Sequence, residues 1–339
     1  MIRFEYVSPN SVEQALGLLS ANWGNAEILA GGTDLLALMK DYVVTPNRVV
    51  NIKQLPGLNA ISAERDGLRV GALLTLDRLA DAAQIRRDYP ALAKCIADAA
   101  SPQIRNMATI GGNLCQRPRC WYFRNGMGLL PKTADGKSLV IEGDNRYHAI
   151  LGNEGPAYFV SPSTIAPMLI AYGARLYITG PAGEREVEVE KFFRIPTSEN
   201  EREHDLKANE LITAVFVPTA KDISAASYEV RQRASFDWPL ATAAVALRMN
   251  GTTVESARIV VGAVAPIPWV SQEAAQAIAG RSLDERTASA AGEAAVSKAR
   301  PLSHNDYKVR MAAVAVKRAL LSAAGHTVPD VHSAKGGAA

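Results

Sequence analysis

Residues 26–40 read AEILAGGTDLLALMK. An apolar run, Ile28-Leu29-Ala30, stops at Gly31-Gly32. Thr33-Asp34 follow, and Leu35, Leu36 and Met39 then recur at helical spacing. The pattern predicts a short buried strand, a tight turn and a helix opening at Thr33. The glycine pair has two readings. One is a plain strand–helix turn. The other is an anion site, because consecutive glycines let backbone N–H groups turn toward one point. A helix opening at Thr33 would add free amides and the positive end of its dipole, and Thr33 would add a hydroxyl donor. That geometry suits a pyrophosphate. The stretch is neither G-x-G-x-x-G nor G-x-x-x-x-G-K-S/T, so the common nucleotide fingerprints are absent.

Outward from this stretch the pattern stays regular. Phe4, Tyr6 and Val7 predict a strand. Ser11 opens S-V-E-Q, a capping-box pattern with Gln14 three residues on, before a helix bearing Val12, Leu16 and Leu19. RVVNI at 48–52 predicts another strand, so residues 1–52 read as a β-α-β-α-β unit. Leu68–Leu73 reads as a strand, 76–83 as a helix capped by Thr75, and Ala91–Ala100 as a further helix. Residues 125–156 read as a long loop or insertion, and such loops in compact domains are usually functional. Tyr158–Val160 predicts a return to regular structure, then a helix at Ser163–Tyr172 and a strand at Arg175–Thr179. After a composition break near Pro218–Ser224, three segments (228–233, 241–249 and 257–263) read as antiparallel strands, because their connections are short. Residues 270–324 are alanine-rich and helical.

A second glycine pair lies in ATIGGNLC, residues 108–115. Two such pairs in one region weaken the plain-turn reading. One could hold one phosphate face of a dinucleotide, the other the opposite face or a ribityl chain.

Composition sets limits. The 339 residues suit two or three domains, 48% are apolar, and the net charge is +3 with both signs interspersed. This gives no reason to expect nucleic acid as a partner. No run of eighteen apolar residues suggests a membrane span. MIRFEYVSPN has no signal-peptide character, so cytoplasm is the default expectation. Three cysteines, Cys95, Cys115 and Cys120, argue against a disulfide framework. His148, His204, His304, His326 and His332 show no metal-ligand spacing. Ser235, Asp237 and the histidines form no triad pattern. Within Trp121-Tyr122-Phe123, packing is expected of at least two rings.

AGGTDLLALMK together with SPQIRNMATIGGNLCQ resembles the FAD-binding medium subunit of the molybdenum hydroxylases, the family of xanthine dehydrogenase, carbon monoxide dehydrogenase and bacterial aldehyde oxidoreductases. The resemblance runs from FEYVSPNSVEQAL to ARIVVGAVAPIPW and AVSKARPLSHNDYKVRMAAVAVKRAL, nearly the whole chain. The segment NLCQRPRCWYFRNG, with EGDNRYHAILG, is most similar to the flavin subunit of periplasmic aldehyde oxidoreductases. The resemblance implies an α+β fold. A two-lobed FAD-binding domain of the vanillyl-alcohol-oxidase (PCMH) type spans residues 1–222, with lobes at about 1–55 and 56–222. A C-terminal α+β domain (a small antiparallel sheet plus helices) spans 223–328, and a flexible tail 329–339.

The resemblance also implies FAD, its pyrophosphate on Ala30, Gly31, Gly32, Thr33 and Asp34 with Ile28, Leu29 and Leu35 beside them. Thr109, Ile110, Gly111, Gly112 and Asn113 would contact the flavin side. Ala100 and Ser101 would line the same cleft, and Leu206 would stand against the isoalloxazine. Partners would be an iron–sulfur small subunit carrying 2Fe-2S clusters and a molybdopterin large subunit, as a heterotrimer or its dimer. A small-molecule or protein acceptor (NAD, oxygen, a quinone or a carrier protein) would take the electrons. A signal-bearing partner could export the complex to the periplasm. The alternatives are a self-contained FAD-dependent oxidase and a scaffold that has lost its cofactor.

Two positions depart from the family pattern. The most similar members carry an extra 4Fe-4S cluster on four cysteines of the insertion, and no cysteine follows Cys120 here. No 4Fe-4S cluster is expected, and Cys120 is expected to be a packed thiol. At Glu229 many relatives have a lysine near the flavin pyrimidine edge. Arg231 or Arg233 would compensate the acid, or would be surface charges. His148 is expected to make a structural hydrogen bond rather than approach the flavin.

Overall fold

The computed structural model describes residues 1–233 and 236–329. Ser235, His332 and the tail from residue 330 lie outside the described residues. Three sheets organise the chain. The first holds β1 (Glu5–Val7), β2 (Ala26–Leu29) and β3 (Arg48–Asn51), all parallel, in the order β1-β3-β2. Helices Val12–Leu18 and Leu35–Lys40 connect them, which is the β-α-β-α-β unit the sequence predicts. Ser11 caps its helix through the Gln14 amide at 3.2 Å. The reciprocal half of the capping box is displaced, because Gln14 Oε1 accepts from the Asn10 amide at 2.9 Å.

The helix after the glycine pair starts at Leu35, not Thr33. Thr33 and Asp34 complete the turn, and the six-residue helix buries Leu38 and Met39. The expected stripe is therefore rotated. Leu36 is 36% exposed and lies over the Gly32 turn, where a β-carbon would stand 3.0 Å from its Cδ1.

The second sheet is antiparallel, ordered β4-β5-β8-β6-β7. Its strands are β4 (Ile61–Glu64), β5 (Gly67–Gly71), β6 (Arg175–Gly180), β7 (Gly183–Glu188) and β8 (Leu211–Pro218). The sequence reading missed β8, although it is the central strand. Its run LITAVFVP is apolar on both faces, so it carries no two-residue alternation. Thr75 caps the helix Leu76–Asp81, but the chain turns extended at Ala82 and restarts as Ala83–Asp88. The helix Ala166–Ala171, all six residues buried, belongs to the core that this sheet shares with Ala244, Ala246 and Val260.

The third sheet, antiparallel as the short connections predict, is ordered β12-β11-β10-β9. It comprises β9 (Ile223–Arg231), β10 (Pro239–Asn250), β11 (Thr253–Gly262) and β12 (Trp269–Val270). Three helices, Gln272–Ile278, Glu285–Ala295 and Tyr307–Ala323, cover it. Their buried alanines, among them Ala288, Ala291, Ala312 and Ala315, let the backbones approach closely. At Gly292 a β-carbon would strike the Ala313 carbonyl.

The segment 125–156 is irregular apart from the turn of helix Leu139–Glu142. Tyr158–Val160 also stays irregular, because its backbone is used in single cross-links. Tyr158 O accepts from the Ala149 amide at 2.7 Å, and the next residue beyond, Ser161, donates its amide to Ala265 O at 2.9 Å. Residues 145–153 are stitched to the C-terminal part. The amides of Ile150 and Leu151 both donate to Val264 O, and the Arg300 amide donates to Ile150 O at 2.7 Å. Lys308 Nζ donates to the carbonyls of Tyr147, His148 and Ala263. Ile150 and Leu151 are buried in the same core as β10 and β11.

Candidate flavin cleft

The two glycine pairs face one another but are built differently. Gly32 has φ +78°, a conformation that side chains with a β-carbon rarely adopt. The amides of Gly31, Gly32 and Thr33 donate to no other described residue. They form an open donor set at the end of β2. At the second pair, the Ile110 amide donates to Leu74 O, Gly111 to Ala72 O, and Gly112 to Thr109 Oγ1 at 3.1 Å. Those donors are spent inside the fold. Gly111-Gly112 lies in a five-residue helix, Ile110–Leu114, capped by Thr109. The second pair therefore gives the cleft a close-packed wall, and the expectation of a second anion nest is corrected on this point. A β-carbon on Gly111 would stand 3.0 Å from Ala72 Cβ.

Between them lies a cleft. Ile28, Ala30, Gly31, Gly32, Thr33, Asp34 and Leu35 line one side, Thr109, Gly111 and Gly112 the other, and Leu206 closes it. Ala100, Ser101 and Asn113 line an adjoining cavity that shares Thr33, Asp34, Gly112 and Gln116 with the cleft. Ala100 has φ +49°, a strained setting for a residue with a β-carbon. The Arg105 guanidinium holds this corner by donating to Ala99 O at 2.8 Å. Leu29 and Ile110 are not in the lining. Both are buried in cores, at 5% and 0% exposure, and support the cleft from behind.

Asp34 is the hub of the rim. Its carboxylate pairs with Arg119 at 2.7 Å and Arg124 at 2.8 Å, and accepts the Arg117 amide at 2.8 Å. The basic segment after the second glycine pair is thereby folded back over the first. Arg117 also pairs with Glu203 at 2.9 Å, and Arg202 pairs with Glu27 at 3.1 Å. Burial pushes the Glu27 carboxyl up to about 7, against the pull of the Arg117 charge. Burial also holds the His204 imidazole down to about 3, with the Arg117 charge adding to it. His204 stacks on Phe192 with ring centroids 5.3 Å apart. The sequence reading singled out none of Glu27, Arg117, Arg202 and Trp23, which also line the cleft. Glu27 is the one charge on a buried strand, and that was the signal available.

Glu229 is buried and ion-paired with Arg231, so the acid is compensated within its own strand. Arg231 also donates to Asp98 O and reaches the cavity beside Ala100. Arg233 N donates instead to Asp237. Cys120 Sγ lies 3.1 Å from His148 Nε2, and burial raises the thiol. Both residues are thus engaged structurally. Phe123 is buried, while Trp121 and Tyr122 pack against His148. Among the described residues, no helix is long and apolar enough to cross a membrane.

Open amides at a glycine turn, an apolar trough and a basic rim together fit a dinucleotide whose diphosphate meets the turn, and so define a flavin-binding module. A family model described as the FAD binding domain in molybdopterin dehydrogenase matches residues 2–220. One described as the CO dehydrogenase flavoprotein C-terminal domain matches 226–323. The chain belongs to the FAD-binding medium subunits of the molybdenum hydroxylases. It is 33% identical over 325 residues to the aldehyde oxidoreductase FAD-binding subunit PaoB of Escherichia coli K12, covering 95% of this chain and 97% of that one. To the carbon monoxide dehydrogenase medium chain of Hydrogenophaga pseudoflava it is 29% identical, with the same coverage. The solved carbon monoxide dehydrogenase from Hydrogenophaga pseudoflava matches with a TM-score of 0.76 at 28% identity, over 96% of this chain and 99% of that one. Quinoline 2-oxidoreductase from Pseudomonas putida 86 matches at 0.74 and 27% identity, over 96% and 98%.

Proposed function

We propose that this chain holds FAD in the cleft and relays electrons from the 2Fe-2S centres of a small iron–sulfur subunit to a terminal acceptor. Substrate oxidation would occur on a molybdopterin large subunit. The observation that carries this reading is the open donor set at Gly31, Gly32 and Thr33, at the mouth of an apolar cleft. These amides would bind the diphosphate oxygens. The wall of Thr109, Gly111 and Gly112, with Leu206, would exclude water and hold the planar ring. When bound, FAD would supply the capacity to accept electrons singly and release them in pairs. The protein orients it and sets its electrostatics, with Arg117 and Arg119 supplying positive charge at the rim.

The division of the chain near residue 222 into a flavin domain and a C-terminal domain belongs to the same proposal. So does a cytoplasmic location, with export alongside a signal-bearing partner as the alternative.

The test is the visible spectrum of the purified chain, alone and with its partner subunits. Oxidised-flavin bands are expected. Correctly folded protein without them overturns the proposal. Gly32→Val is expected to lose the flavin.

A further inference from the structure

The Arg231 side chain is 4% exposed, yet it lines two spaces. One is shared with Glu229, Asp98 and Tyr228. The other is the cavity beside Ala100, which neither Glu229 nor Asp98 lines. Nε and Nη2 donate to Glu229, and Nη2 also donates to Asp98 O. In the rigid guanidinium fork, Nη1 stands on the side away from that edge. It donates to no described residue. Seven buried side-chain polar atoms among the described residues lack a partner and are sealed from any space, and Arg231 Nη1 is not one of them. Nη1 therefore keeps open surface, on the side of the group that faces away from Glu229.

Other donors open on the same cavity. Asn113 Oδ1 accepts from Ser163 Oγ at 2.7 Å, whereas Asn113 Nδ2 meets no described residue and is not sealed either. The Ala100 amide donates to no described residue. The acceptors there are spent. Asp34 takes two guanidinium groups and the Arg117 amide, and Asp237 takes the amides of Arg233 and Trp238, one on each oxygen. Asp237 is also partly exposed, so water shares its charge. The free polar groups are thus donors, and one is a buried cation. Leu76, Ile104, Pro162 and Trp238 add apolar surface.

The cavity shares Thr33, Asp34, Gly112 and Gln116 with the flavin cleft. Its donors suit a flat ring edge rich in acceptors. FAD has two ring ends. The pyrimidine edge of the flavin presents two carbonyls and ring nitrogens, and it gains negative charge on reduction. Adenine stays neutral and gives a buried cation nothing to stabilise. Although Arg231 is paired, it shows the cavity the positive end of the pair, with Glu229 behind it. Away from water such a charge acts strongly.

We propose that the pyrimidine edge of the flavin enters this cavity, and that Arg231 raises its reduction potential while Glu229 positions the guanidinium; this rests on the flavin reading above. Reduction brings two electrons from the partner's 2Fe-2S centres and protons from solvent. Arg231 gives up no proton and acts through its charge and one hydrogen bond.

The test is spectroelectrochemical titration of the full flavin-loaded chain, with flavin content and melting temperature measured in parallel. Glu229→Gln keeps an acceptor for Nε but removes the negative charge, so the potential is expected to rise. Glu229→Gln combined with Arg231→Gln removes both charges and leaves no buried ion unpaired. Its potential is expected to fall below the parent's by about 30 mV, a tenfold weaker preference for reduced over oxidised flavin. Arg231→Lys should lie between the parent and the double variant. Flavin content should stay at the parent's value, because the Gly31–Thr33 amides are untouched.

Unmoved potentials with flavin retained overturn the proposal and put adenine or water in the cavity. Shifts of the same sign in Glu229→Gln and the double variant overturn it too, since a mere packing disturbance would produce them. Loss of flavin from variants that still fold makes the pair a binding anchor and also overturns it. If the double variant fails to fold, Glu229→Gln and Arg231→Lys carry the test, with opposite shifts expected. A folded parent chain without flavin would instead sink the flavin reading itself.

Discussion

Gly31 lies so close to the backbone of Met107 that a β-carbon there would fall well inside contact with the Met107 carbonyl oxygen. The first glycine pair is thereby seated against the segment that leads into the second. Gly31→Ala must force the two apart. Overpacking of this kind costs about 1–3 kcal/mol, and a backbone obstacle belongs at the upper end. A lower melting temperature and loss of bound flavin are expected, read by thermal denaturation and flavin absorbance.

Gly112→Ala should behave in the opposite way. A β-carbon there meets Thr109 Oγ1 alone, at 3.0 Å, and the residue is helical. Alanine is favoured over glycine in a helix by about 1 kcal/mol. Stability is expected within about 1 kcal/mol of the parent, while the added methyl in the cleft weakens flavin binding. A melting temperature as low as that of Gly31→Ala would contradict this.

Asp34→Asn removes the charge that holds Arg119 and Arg124. Breaking a fully buried pair costs roughly 3–5 kcal/mol. These side chains keep some solvent exposure, so a loss of about 2 kcal/mol is expected. Urea denaturation measures it. Faster proteolysis within 117–124 should accompany it.

The pH dependence has two opposing parts. His204 and His148 are held down to about 3 and about 4, so the native state stays unprotonated where the unfolded chain takes up protons. Their contribution is present above pH 6.5 and is lost as the pH falls. Glu27, pushed up to about 7, holds a proton that the unfolded chain releases above 4.5. Its contribution grows as the pH falls from 7 to 4.5. Glu27→Gln should therefore steepen the acid loss, and His204→Phe should flatten it. Urea midpoints between pH 7 and pH 5 give both slopes.

Lys308→Met keeps the length of a fully buried side chain but removes a donor from three carbonyls. A loss of about 2 kcal/mol is expected, measured by thermal denaturation. Residues 145–149 should become susceptible to protease.

Much of this architecture could be read from the chain, for identifiable reasons. The β-α-β-α-β start has a cap at Ser11 and short alternating elements, and the third sheet has strands joined by short turns. Strand β8 escaped because burial on both faces erases alternation. The helix after the first glycine pair was placed two residues early because Thr33 resembles an N-cap, whereas its amide stays open to the cleft. The two glycine pairs looked alike in sequence. They differ in whether their amides are spent, which depends on Ala72 and Leu74 arriving in the turn after β5. Asp34 was legible as part of a turn but not as the partner of Arg119 and Arg124, because those contacts span 85 and 90 residues.

The stitching of residues 145–153 to the last helices bears on any attempt to dissect the protein. The family models meet between residues 220 and 226, which invites a cut there. Yet Ile150 and Leu151, from the earlier half, complete the hydrophobic interior of the later one, and the Val264 and Ile150 carbonyls are satisfied across the divide. Severed at that point, the first fragment would display a greasy loop and the second would carry an open seam. The two sequence modules share part of one interior, so fragments mixed after separate expression should recover structure that neither attains alone.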